Sequence, residues 1–373
     1  GRLAFRPAAG HELGATLLTA DSKNHYDGGG PTVDAYSNDN TRTWTVYSRN
    51  RLAEAWTSTL RYGESKDQSE SFSPGRSLFA TTQKQSTWQN DVKLPLGNLM
   101  LAAEHLRQDV DSTTNYTVKE RTVRSLIAGY NGTWGNHSWQ LSQRYDDNSQ
   151  FGGKTTGRLA YGYRINADWQ ARAAYGTAFK APSFNQLYFP GFGNVNLKPE
   201  FAKNREIGLN WNHASQHATL TYFDNRIENL IQGFPVSNVG RARITGTSLG
   251  YGLTYGAWNA DASVDLMKPI NQSNGYRLQR RAAQMGKLSV SYAPGPWTLG
   301  AELSATGDRY DTTTQTRPLE HYEVVNLHGS YKIDRDWTFE GRVNNLFDKV
   351  YETAWGYAQP RANVFIGVRY APK

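Results

Sequence analysis

The sequence predicts an all-β chain, a transmembrane antiparallel up-and-down β-barrel. Three observations predict it: period-two alternation runs through most segments, short and long turns succeed one another, and aromatic residues flank the short turns. Tight turns at one rim and large loops at the other are the pattern of an outer-membrane barrel. Residues 158–165 show the alternation: Leu159, Tyr161, Tyr163 and Ile165 share one face, and Arg158, Ala160, Gly162 and Arg164 the other. Residues 336–347 and 363–370 repeat it, with Trp337, Phe339 and Val343, then Val364, Ile366 and Val368, on the apolar side. One face suits lipid and the other a watery lumen. A soluble sandwich allows the same alternation. The aromatic pairs break the tie. Trp134 and Trp139, Tyr163 and Trp169, Tyr255 and Trp258, Tyr292 and Trp297, and Tyr331 and Trp337 each bracket a short turn. Rings held at a water–lipid boundary recur in this way.

The alternation places about nineteen strands. Their spans are 1–7, 11–22, 41–52, 55–66, 78–94, 98–110, 119–132, 137–148, 155–165, 168–180, 203–213, 217–230, 240–256, 258–268, 278–293, 296–308, 320–333, 336–350 and 361–371. The long loops are Asp21–Thr41, Ser65–Arg76 and Pro182–Ala202. Many of these strands exceed the ~9–11 residues that cross lipid, so they are expected to project beyond the membrane. A closed bacterial barrel has an even strand count and no lipid-facing edge. The odd count and the turn order therefore lead us to expect that residues 1–373 are one barrel lacking its first strands. No signal peptide opens the chain, which reads as mature or truncated.

Composition narrows the class. The chain is 38% apolar with no long apolar run, so a helical membrane protein is excluded. At 13% aromatic, with 22 Tyr and 11 Trp, it is unlike a disordered chain. It has no cysteine, which removes disulfides and thiolate metal sites. The net charge is +8, but the basic residues are dispersed at alternate positions, so no nucleic-acid partner is expected. No His-Glu-x-x-His or phosphate loop is present, and no enzymatic activity is expected.

Three blocks carry more than pattern. They are Tyr145-Asp-Asp-Asn-Ser-Gln-Phe-Gly152, then Tyr175-Gly-Thr-Ala-Phe-Lys-Ala-Pro-Ser-Phe-Asn-Gln-Leu-Tyr188 followed by Gly193-Asn-Val-Asn-Leu-Lys-Pro-Glu200, and Asn344-Asn-Leu-Phe-Asp-Lys-Val-Tyr-Glu-Thr-Ala-Trp-Gly-Tyr357. Together they resemble the TonB-dependent outer-membrane transporters, whose barrels have about 22 strands, and in wording the cobalamin-receptor branch most closely. Siderophore and haem receptors share versions of the same blocks. The resemblance implies an energy-coupled importer in the bacterial outer membrane, expected as a monomer in lipid, with no intrinsic cofactor. The family also has a plug domain, preceded by a segment that engages TonB; neither is expected within these residues. Cobalamin or another scarce small molecule is the implied ligand. A ferric siderophore receptor and a passive porin are the alternatives, with a soluble carbohydrate-binding protein further off. Haem fits less well, because 183–200 holds no His.

Pro182 and Pro199 bound a loop in which ladder hydrogen bonding must stop. Its side chains Phe184, Tyr188, Phe189, Phe192, Asn194 and Asn196 are the candidate ligand contacts; the same aromatic residues could equally fill the loop's own interior. The segment Asn344–Lys349 reads as structural. The 21–40 loop gathers aspartates, and clustered carboxylates suit calcium. Ser37-Asn-Asp-Asn-Thr41 resembles the family's calcium-ordered stretch, with one Asp where that stretch has two. The implied ligands are Asp27, Asp34 and Asp39, and His25 is the one candidate His ligand in that loop. Inward cations such as Arg158, Arg164, Arg172, Arg205, Arg342 and Arg369 are expected to line the lumen, pairing with a plug or attracting an anionic ligand.

Overall fold

A computed structural model describes residues 1–28, 33–73, 75–233 and 235–372. All nineteen expected strands form. The chain divides into two compact units. The first comprises Gly1–Ala160, Gly176–Phe201 and Phe234–Ser237; the second comprises Tyr161–Tyr175, Ala202–Gly233 and Asn238–Lys373.

The first unit is an antiparallel meander. Its strands are Arg2–Ala8, His11–Asp27, Asp34–Ala53, Trp56–Phe72, Arg76–Leu94, Gly97–Ser112, Glu120–Trp134 and His137–Asn148, each paired with the next. Short turns use left-handed glycines where the chain must reverse, as at Gly10 (φ 84°) and Gly135 (φ 56°). Two long loops expected from the sequence are shorter than expected. The strands flanking 21–41 continue to Asp27 and from Asp34, and those flanking 65–76 to Phe72 and from Arg76. The ladder runs unbroken from His11 opposite Asn50 to Asp27 opposite Asp34. Polar side chains bond across it, and Tyr36 stacks on Phe72 with ring centres 4.7 Å apart. A polar tract that still alternates can remain a strand, because the ladder bonds its backbone whichever side chains it carries.

The second unit continues the same pattern. Ser237–Tyr255, Trp258–Asn271, Gln284–Tyr292, Trp297–Thr306, Tyr322–Lys332, Trp337–Asn344 and Asn363–Tyr370 pair in sequence order. Two tight turns share one device. The Asn166 side-chain oxygen accepts the backbone N–H groups of Asp168 and Trp169, and the Asp334 carboxylate accepts those of Asp336 and Trp337, all at 2.8–2.9 Å. Two strands are shorter than the alternation suggested. The expected strand 278–293 begins at Gln284, because Leu278 is buried and Arg280 turns left-handed (φ 55°). The expected strand 336–350 ends at Asn344, because Asn345 and Asp348 both take positive φ.

The aromatic pairs that bracket the short turns pair across strands. Trp258 faces Tyr292, Trp297 faces Tyr331 and Trp337 faces Tyr370, with ring centres 4.4, 4.5 and 4.6 Å apart. These three Trp residues, each following a turn, pack on the Tyr that closes the neighbouring hairpin. Between these belts and the loops the apolar face is open: Leu60, Leu126 and Val364 are 56, 64 and 67% exposed. At about 25 cal/mol per Å² an apolar surface of this extent would be costly in water. Hydrocarbon removes that cost.

Candidate ligand-binding loops

In the first unit the 182–200 segment is built on a buried cation. Pro182 ends the preceding strand, and its carbonyl accepts from the Arg121 guanidinium at 2.9 Å. Ser183 then caps a five-residue helix, Phe184–Tyr188: its hydroxyl accepts from the Gln186 N–H, and the Gln186 side chain accepts from the Ser183 N–H. The helix stops at Phe189, and the chain folds back beneath it. Gly193 N–H donates to the Phe189 carbonyl at 2.6 Å, and Asn194 N–H to the Gln186 carbonyl at 2.8 Å. A Cβ at Gly193 would lie 2.7 Å from the Leu187 carbonyl oxygen, so the close return requires glycine there.

The helix buries Phe184 and Leu187. Phe184 joins Val110 and Tyr116 in a small core, with Phe79 and Tyr188 packed against it. The Tyr116 hydroxyl donates to the Asn185 side-chain oxygen at 2.6 Å, and burial pushes that phenol above its usual pKa. Arg121, 5% exposed, lies 4.8 Å from the Phe184 ring centre and 5.3 Å from that of Phe151. Its Nε donates to the Gln150 side-chain oxygen at 2.6 Å, and Gln150 in turn donates to the Tyr188 hydroxyl at 2.8 Å. Burial lowers the Arg121 pKa from its ordinary value, though a guanidinium remains charged at any physiological pH.

Two of the sequence blocks thus meet: 145–152 supplies Gln150 and Phe151, and 175–200 supplies Pro182, Phe184 and Tyr188. The Asn148 side chain holds the first block's turn by accepting the N–H groups of Gln150 and Phe151. Of the six residues expected to touch ligand, Phe184 is packed inside and Tyr188 is half-buried with its hydroxyl engaged. Asn194 donates to the Val236 carbonyl and accepts from Asn196 N–H. Phe189 is exposed, edge-on to Tyr116 and to the half-buried Phe192 at 6.4 and 6.3 Å, and Asn196 is exposed. The sequence reasoning missed Arg121 and Tyr116. Arg121 gives only a weak signal, its place on the polar face of an alternating strand.

The three aspartates are arranged differently. The Asp27 side chain lies outside the described residues. Asp34 and Asp39 are five residues apart on one regular strand, so they face opposite sides of the sheet, about 16 Å apart along the chain. The exposed Asp34 carboxylate meets His25 at 3.0 Å. Asp39 accepts from Ser69, Ser37 and Asn24, and these bonds hold its pKa below the usual value. Among the described residues no three His, Asp or Glu side chains converge as a metal site.

The third block closes on itself in the second unit. Asn345, 4% exposed, accepts from Lys349 N–H and donates to the Lys349 and Pro360 carbonyls. The Asp348 carboxylate accepts from the Arg361 guanidinium and the Ala362 N–H, which pull its pKa down to about 2. Of the inward cations, Arg342 pairs with Glu302, Arg369 with Glu340, and Arg172 donates to the Thr221 hydroxyl.

Comparison with known proteins agrees with this architecture. Residues 3–346 match the family model described as TonB dependent receptor-like, β-barrel. The vitamin B12 transporter BtuB of Photobacterium profundum is 32% identical over 324 residues, covering 82% of this chain and 52% of the relative. Its Vibrio cholerae counterpart is 29% identical over 340 residues, covering 85% and 54%. The solved structure of the ferric enterobactin receptor of Pseudomonas aeruginosa superposes with a TM-score of 0.81 at 18% identity, over 99% of this chain and 68% of that one. The chain spans about half the length of the curated relatives it matches. It belongs to the TonB-dependent receptor β-barrel family of the bacterial outer membrane.

Proposed function

We propose that the chain forms the barrel and extracellular loops of an energy-coupled importer of cobalamin or a related corrinoid. The observation that carries this reading is the 32% identity to a vitamin B12 transporter over 82% of the chain. The 182–200 segment supports it, since it offers a rigid aromatic surface on a capped, buried base. A bulky ligand loses less free energy on binding a preorganised wall than on ordering a flexible loop. Within that segment Phe189, Phe192 and Asn196 meet the ligand. Phe184, Tyr188 and Asn194 hold the wall in place.

In this reading the loops capture ligand, a plug inside the barrel senses it, and TonB pulls on a segment of that plug to open a path. No bond of the ligand is made or broken. Calcium bound through the 21–40 ribbon is a subsidiary proposal: Asp34 and Asp39 face apart, so one ion would reach one of them and not both. The test is calorimetric titration of the full-length gene product in detergent with cyanocobalamin, in calcium and in chelator. Submicromolar binding is expected. Its absence in both conditions overturns the cobalamin reading, and equal binding in both removes the calcium site.

A further inference from the structure

The apolar face of the first unit carries a groove of about 940 Å³. Val46, Leu60, Tyr62, Trp88 and Leu126 line it, with directly opposed pairs such as Leu60–Trp88 and Val46–Tyr62 setting its floor. At its loop-ward end Trp44 packs edge-on against Tyr62, ring centres 5.6 Å apart. Two residues beyond Trp44, on the same face, stands Arg42, directly opposite Lys66 on the next strand. Like charges opposed across a ladder destabilise it. The neighbouring cations of this face are neutralised: Lys84 by Glu64 at 3.8 Å, and Arg107 by Asp109 and Glu120 at 3.1 and 2.9 Å. Among the described residues Arg42 and Lys66 have no such partner.

Their height says what supplies the missing anion. Lys66 is ten residues along its strand from Trp56, which sits at a short turn. At ~3.3 Å per residue and a tilt near 45°, that is about 23 Å above the short-turn rim. The apolar band of an outer-membrane barrel is ~25 Å tall. Arg42 and Lys66 therefore stand just above an interfacial aromatic pair, where headgroups lie, with an apolar groove running down into the acyl layer.

We propose that Arg42 and Lys66 together bind the phosphate of an anionic outer-leaflet lipid whose acyl chain lies along the Val46–Leu60–Trp88 groove. A guanidinium and an ammonium facing each other supply charge-assisted donors from two sides, and the phosphate relieves their repulsion. The site rests on the chain's place in the outer membrane and not on the identity of the imported ligand.

The test is native mass spectrometry of the full-length protein in detergent, titrated with phosphatidylglycerol, phosphatidylcholine or inorganic phosphate. The wild-type protein is expected to retain phosphatidylglycerol at least about tenfold better than the Arg42→Gln/Lys66→Gln variant, while both retain phosphatidylcholine equally. Lys84→Gln, which removes an already paired cation, should leave retention unchanged. Val46→Trp, which fills the groove, should weaken retention with both cations present. Equal phosphatidylglycerol retention by the wild type and the double variant overturns the proposal. So does competition by millimolar inorganic phosphate, which would make the site one for free anions.

Discussion

The segments 182–200 and 21–40 both read from the sequence as ligand-bearing loops, and they fold by opposite means. The first leaves the sheet, coils into a capped helix and buries Phe184 and Leu187 on Tyr116 and Val110. The second hardly leaves the sheet. It extends the ladder to Asp27 opposite Asp34 and spends its polar side chains on cross-strand bonds. The difference lies in what each segment can bury. Prolines stop the ladder at 182 and 199, and Phe184 and Leu187, with Tyr188 packed beside that core, give the intervening chain something to bury. The described residues of the 21–40 segment instead keep Tyr36 stacked on Phe72 within the sheet, and continued strand pairing satisfies the backbone. An aromatic loop bounded by prolines becomes a platform; a polar alternating one becomes a longer hairpin.

Phe184→Ala should disturb this contrast most. Removing a buried Phe costs about 3–5 kcal/mol, so amide exchange across 183–194 should rise steeply while the 21–40 ribbon keeps its protection. Equal protection in the variant would mean that the platform does not rest on that core. Arg121→Met comes next. It leaves the Pro182 carbonyl and the Gln150 side chain without their donor, a loss of about 1–3 kcal/mol. The same amides should loosen to a lesser degree, and Gln150→Ala should reproduce part of the effect. A loop unaltered by Arg121→Met would separate the two sequence blocks energetically.

Phe189→Ala should act on ligand and not on fold. Its ring is exposed, so loop exchange should stay as in the wild type while cyanocobalamin binding weakens about tenfold or more. Unchanged affinity would remove Phe189 from the ligand wall. The smallest effect belongs to the ribbon. Hydrogen bonds from Ser69, Asn24 and Ser37 depress the Asp39 pKa in the folded protein. Its contribution is thus fully present above the unfolded value near 3.9 and lost as pH falls through the folded value. Exchange near Asn24 and Ser37 should accelerate only as pH falls well below the unfolded value of about 3.9, and Asp39→Asn should flatten that dependence. A ribbon with the same acid profile in both proteins would show that these bonds do not hold it.

By itself the sequence determined the fold class and the position of every long strand, because side-chain alternation and turn residues are local and survive averaging along the chain. It also located the aromatic belts, since Trp258 and Tyr292 each lie beside their own turn. It placed the boundaries of the 182–200 platform through two prolines. Only the tertiary structure decided where the strands end at Asp27 and Phe72, because a ladder continues for as long as its partner does and the partner lies far away in sequence. It alone joined Arg121 to Gln150 and Pro182, 29 and 61 residues away. It alone turned Phe184 inward and Phe189 outward. Those choices depend on which surfaces meet, and a one-dimensional pattern of residue types does not record that.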